Sequence, residues 1–147
     1  MLALVVPVAV AVEISRDEFV ERAEPICKTN TEANKRIFKG VRQEVSAGEL
    51  KKASTHFSRA ATAFEKTIRQ LTRLPRPVAD EAKIEKWIGY LEAEQRYIAR
   101  IGKALAREDK GKAQMLSVRL RRNSNLANNT VLAFGFDYCR IDPSRFS

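Results

Sequence analysis

The chain has 147 residues, a length that fits one domain and can bury a core without staples. Hydrophobic residues make up 44% and charged ones 31%, the balance of a globular helical protein, and six Gly and five Pro leave room for long helices. The net charge of +9 says nothing about fold, but it favours anionic partners: nucleic acid, anionic lipid or anionic cell-wall polymer.

The apolar start, Leu2 to Val12, is too short to span a bilayer, which needs ~20 apolar residues. It has the length of a signal-peptide core, and Ala9-Val10-Ala11 resembles an A-x-A cleavage site. The basic residues that normally precede such a core are expected upstream of Met1. Residues 1–12 are therefore read as a signal-peptide remnant and 13–147 as a single folded domain. The competing reading is a cytosolic protein with an apolar N-terminal extension.

Ser15 with Glu18 forms a capping box that starts the first helix. Phe19, Ala23, Ile26, Ala33, Ile37, Val41 and Val45 recur at helical spacing, Pro25 bends the run, and Gly48 stops it. A second helix is predicted from about Glu49 to Leu74, with an apolar stripe of Leu50, Ala53, Phe57, Ala61, Phe64, Ile68 and Leu71. Leu74-Pro75-Arg76-Pro77 ends it. The third starts near Val78 to Asp80, with Asp80 as cap, and buries Ile84, Trp87, Ile88, Leu91, Ile98, Ile101 and Leu105. Asp109 caps the fourth, which carries Ala113, Leu116, Leu120, Ala127 and Phe134 inward and closes at Gly135.

Four helices of roughly 25–32 residues joined by short connections predict an all-α, antiparallel up-down-up-down four-helix bundle. The first helix is expected to be the longest. Two cysteines in an exported chain pair, so Cys27 and Cys139 are expected to form a disulfide that clasps the C-terminal tail to the first helix. A closed loop of roughly 100 residues stabilises by up to about 4–5 kcal/mol in the chain-entropy view. The alternative, a redox or nucleophilic thiol, lacks a C-x-x-C and a neighbouring histidine.

Motifs for chemistry are sparse. Ferritin-like carboxylate sites need Glu-x-x-His on two helices, and the single His56 reads as a bystander at a bundle edge. Haem ligation by His56 with Met115 has no attachment motif. No Gly-x-Ser-x-Gly elbow or Gly-rich phosphate loop is present. The expectation is a non-enzyme with no cofactor and no metal.

Two features remain as candidate sites. Arg96, Arg100, Lys103 and Arg107 form a strip on the third helix, and Arg119, Arg121 and Arg122 cluster on the fourth. They read either as a solvated face, partly paired (Glu92 with Arg96, Glu32 with Arg36, Glu18 with Arg22), or as an anionic-binding surface. Nucleic acid is disfavoured, because no reading element or stacking aromatics accompany them. Asn30 and Asn34 on the first helix and Asn123, Asn129 and Thr130 on the fourth form a candidate polar layer between those helices. It is either a register device or a pocket for a small polar ligand.

Ile26-Cys27 in the first helix and Gly135-Phe136-Asp137-Tyr138-Cys139 after the last resemble a group of uncharacterised exported proteins and lipoproteins of actinobacteria. The Pro75/Pro77 break and the Asp109 turn fall at matching places, and the resemblance covers most of residues 15–140. It implies a four-helix, disulfide-tied envelope protein and carries no activity. Unlike the lipoprotein members, this chain has no cysteine right after its apolar start. The expected function is an exported, extracellular or envelope-associated binding module that uses its basic surface toward an anionic polymer, a lipid surface or a partner protein. A small-ligand carrier or sensor is the alternative, and a cytosolic nucleic-acid binder the third reading.

Overall fold

A computed structural model describes residues 13–142; the apolar start read as a signal remnant lies outside the described residues. Within them the protein is all-helical. The long helices are α1 (Arg16–Ile37), α3 (Leu50–Thr72), α4 (Glu81–Ala106) and α5 (Lys110–Thr130), and a short α2 (Val41–Ser46) links the first two.

The termini follow local chemistry. Ser15 and Glu18 close the predicted capping box, with Glu18 N–H donating to Ser15 Oγ at 3.2 Å and Ser15 N–H donating to Glu18 Oε2 at 2.7 Å. Asp109 caps α5 by accepting from Lys112 N–H at 3.0 Å. Asp80 departs from expectation. It precedes α4 without a side-chain cap bond, because its buried carboxylate takes both prongs of the Arg16 guanidinium, at 2.8 and 2.7 Å. That pairing holds the Asp80 carboxyl below its ordinary range.

The first helix is not one rod. It ends at Ile37, and Gly40 (φ +87°) supplies the left-handed turn into α2. The longest helix is α4, with 26 residues. α1 runs unbroken through Pro25, which lies on its exposed side. Its buried positions are Phe19, Ala23, Cys27, Thr31 and Asn34, whereas Ile26 is only partly buried. The inward face keeps Phe19 and Ala23 of the predicted stripe but then follows Cys27, Thr31 and Asn34 in place of Ile26, Ala33 and Ile37, with the disulfide side chain at its centre.

α4 packs along both α3 and α5, and α1 packs on α3. Gly102 permits a close approach between α3 and α4: a Cβ there would lie 3.2 Å from Phe57 Cβ. α1 and α5 are not a packed pair. The chain from Gly135 to Asp142, here called the strap, joins them instead. The Cys27–Cys139 disulfide ties it to α1 with a Cα–Cα distance of 5.0 Å. Glu24 of α1 accepts from Asp137 N–H and Tyr138 N–H at 2.9 and 2.8 Å. On the α5 side, Asn128 makes a two-way bond with Ile141, donating to its carbonyl at 2.7 Å and accepting from its N–H at 2.8 Å.

Aromatic packing completes the seam. Phe136 of the strap stacks on Trp87 at 5.3 Å between centroids and on Phe134 at 5.5 Å, and Phe19 meets Phe134 edge-on at 6.1 Å. Each such ring, fully buried, contributes about 1.5–3 kcal/mol.

Candidate functional site: a polar cavity beneath the strap

Under the strap, between α1, α3 and α4, lies a cavity of about 40 Å³. Its polar lining comes from Asn30, Thr31 and Asn34 of α1, Thr67 of α3 and Glu94 of α4, with Trp87 and Phe64 among the apolar walls. Arg140 and Asp142 stand on the strap side.

Three of the lining residues carry a buried polar atom with no hydrogen-bond partner: Asn30 Oδ1, Asn34 Oδ1 and Trp87 Nε1. Leaving such a group unpaired costs about 1–3 kcal/mol each, so three around one small space is an unusual concentration. Glu94, also in the lining, is only 1% exposed. Asn123 Nδ2 donates to its Oε2 at 2.8 Å and Ser124 Oγ to its Oε1 at 2.5 Å, both from α5. These bonds favour the carboxylate, but burial outweighs them and pushes the Glu94 carboxyl up to about 7. It is in no ion pair among the described residues.

The predicted polar layer therefore divides. Asn30 and Asn34 line the cavity with Glu94. Asn123 does not face them: besides Glu94 it donates to the Tyr90 carbonyl at 2.9 Å, across the α4–α5 interface. Asn129 is exposed, and Thr130 Oγ1 donates back to the Leu126 carbonyl at 2.8 Å. A layer between α1 and α5 does not form, because those helices do not pack together.

The basic candidates Arg96, Arg100, Lys103, Arg107, Arg119, Arg121 and Arg122 are all exposed. Among the described residues none of them is in an ion pair, and the predicted pairs Glu92–Arg96, Glu32–Arg36 and Glu18–Arg22 are not formed. The α5 cluster is not one patch, since Arg119 and Arg121 point about 160° apart around the helix. A different grouping emerges. Met115, Val118 and Leu126, exposed by 44, 60 and 43%, share an arc of about 100° with Arg119 and Arg122.

His56 is no bystander. Its Nδ1 contacts the Ile37 carbonyl at the end of α1, and its Nε2 lies 3.1 Å from Glu44 Oε2 of α2 at ion-pair distance. It joins three helices, and Lys52 reaches the same carboxylate at 3.4 Å. Among the described residues no three His, Cys, Asp or Glu side chains gather as a metal-binding group, and no helix is long and apolar enough to cross a membrane.

No known protein family, no curated protein and no solved structure matches this chain.

Proposed function

We propose that the chain is an exported, non-enzymatic module, an antiparallel up-down-up-down four-helix bundle, that docks on anionic phospholipid surfaces through the outer face of α5. The observation that carries this reading is the make-up of that face. Residues 110–130 carry five basic residues and no acidic one, and of the basic ones Arg119 and Arg122 lie on that face. Apolar Met115, Val118 and Leu126 stand exposed on one arc with Arg119 and Arg122. Charge alone suits any polyanion; apolar side chains interleaved with it suit a headgroup–acyl boundary, where both terms add. The strip on α4 differs, because Glu85 and Glu92 share the exposed side of that helix with Arg96, Arg100, Lys103 and Arg107. Export is supported by the apolar start and the disulfide, and the envelope setting by the actinobacterial resemblance.

The test is sedimentation with vesicles of phosphatidylglycerol against phosphatidylcholine over a salt series. Binding is expected only to the anionic vesicles and is expected to collapse near ~1 M salt, where screening acts over ~3 Å. Each basic residue at such a surface contributes about 1 kcal/mol, so Arg119→Glu/Arg122→Glu should weaken binding at least about 30-fold. Val118→Asp should weaken it too. Equal binding to a soluble anionic polymer, insensitive to Val118→Asp, would point to a wall polymer and reject the lipid reading. Salt-independent binding, or none, rejects both.

A further inference from the structure

The cavity beneath the strap presents an unusual chemical balance. Asn30 Oδ1 and Asn34 Oδ1 are acceptors without donors, and Trp87 Nε1 is a donor without an acceptor. Glu94 is a carboxyl group whose hydrogen-bonded neighbours, Asn123 and Ser124, are both neutral. Two free acceptors and a carboxylate match the three N–H donors of an ammonium group. The leftover indole N–H needs an oxygen acceptor close by.

We infer that this cavity binds a primary ammonium group on a short alkyl arm bearing an oxygen acceptor, the chemistry of ethanolamine, with Glu94 as its counter-ion and Asn30 and Asn34 as its acceptors. The size agrees. About 40 Å³ admits a few water-sized groups. It is too small to enclose a whole sugar ring or nucleobase, since even benzene occupies engineered cavities of about 150 Å³. The Trp87 and Phe64 rings add aromatic wall, which suits a cation. Specificity follows from the cost of mismatch. A neutral diol leaves Glu94 without a counter-ion, and an alkylammonium without oxygen leaves Trp87 Nε1 unpaired.

Occupancy is coupled to pH through Glu94, which must be ionised to serve as counter-ion and titrates at about 7 in the empty cavity. The other charged groups lining the space are Arg140 and Asp142, of opposite sign, both on the strap; α1 and α3 contribute only neutral groups there. A primary amine stays protonated throughout this range. Binding therefore strengthens as pH rises through 7.

The experiment uses the full, oxidised chain and follows its single tryptophan, Trp87, by fluorescence, with calorimetry in parallel. Ethanolamine is titrated at pH 8 and pH 6, against ethylammonium and ethylene glycol. Ethanolamine should bind at pH 8, about tenfold more weakly at pH 6, with ethylammonium weaker and the glycol silent. Glu94→Gln should abolish binding and its pH dependence. Should that variant fail to fold, Asn34→Leu fills the same space and should block binding while the protein stays folded. Phosphoethanolamine and phosphatidylethanolamine vesicles distinguish the source of the group. Binding of the soluble form alone assigns a free ligand, and binding of the vesicles, lost in Glu94→Gln, assigns a lipid headgroup. No ethanolamine binding at pH 8, equal binding of ethylene glycol, or binding unchanged in folded Glu94→Gln overturns the proposal. The α5 face is independent of this outcome, because Glu94→Gln leaves the salt-dependent phosphatidylglycerol binding in place.

Discussion

The two sides of Glu94 are built on opposite principles. Toward α5, Asn123 and Ser124 meet the carboxylate and the Tyr90 carbonyl at 2.5–2.9 Å, and the helices pack directly. Toward α1, α4 has no directly packed helix; a strap bridges the gap, and polar atoms of residues under it are left without partners. The first side is finished architecture. The second is held open by covalent and backbone anchors, and the comparison teaches that closure and saturation can be separated within one core.

The largest expected effect breaks the open side alone. Cys27→Ala/Cys139→Ala should lose up to about 4–5 kcal/mol in urea unfolding, while far-UV circular dichroism retains most of the helical signal from α3, α4 and α5. Equal loss of both signals would mean that the α4–α5 seam depends on the strap.

Next comes pH. The Glu94 carboxyl stands at about 7 in the folded protein and at 4.5 unfolded, so the charged form is disfavoured by folding. Stability is fullest below 4.5 and falls as pH rises to 7, by about 3 kcal/mol in all. Asp80, held low by Arg16, acts in the other direction but only below its ordinary 3.8, outside that window. Denaturant titrations of Glu94→Gln should be flat between pH 4.5 and 7; a slope equal to that of the parent would assign the effect to another group.

On the saturated side, Asn123→Ala removes donors to Tyr90 and Glu94 and should cost about 1–3 kcal/mol. On the open side, Asn34→Leu replaces an unpaired amide with apolar bulk, and its effect should lie between zero and a gain of about 1 kcal/mol by the same thermal or chemical unfolding. A loss comparable to that of Asn123→Ala would show that Asn34 serves the fold, not a ligand.

Much of the frame was legible in the sequence. The capping box at Ser15, the Asp109 cap, the break at Pro75 and Pro77 and the cysteine pairing are local or compositional signals, and each is present in the structure. The break at Phe38 to Gly40 is masked in the sequence because apolar residues continue at helical spacing through Val41 and Val45. Its causes are the left-handed Gly40 and the edge-on contact of Phe38 with Phe57 at 5.0 Å. Asp80 holds the expected N-cap position of α4, but its carboxylate is taken by Arg16, 64 residues away, a partner that local spacing does not reveal. The cavity was half-readable: Asn30 and Asn34 were candidates, but Glu94 was not. Its signal was a gap in the α4 stripe, where Leu91 and Ile98 flank a position three residues on from Leu91 that must also point inward. A charged residue on an apolar face is easily read as surface, and only packing from α5 shows otherwise.

The 112-residue separation of the two cysteines also sets an order of events. The α3–α4 and α4–α5 contacts join neighbours in the chain and can form as those segments emerge during synthesis. The seam between α1 and the strap cannot, because its two members lie more than a hundred residues apart in the chain. Cys27 therefore stays a lone thiol, exposed to mispairing with other molecules, until Cys139 is made 112 residues later. A truncation just short of Cys139 would leave that vulnerability permanent.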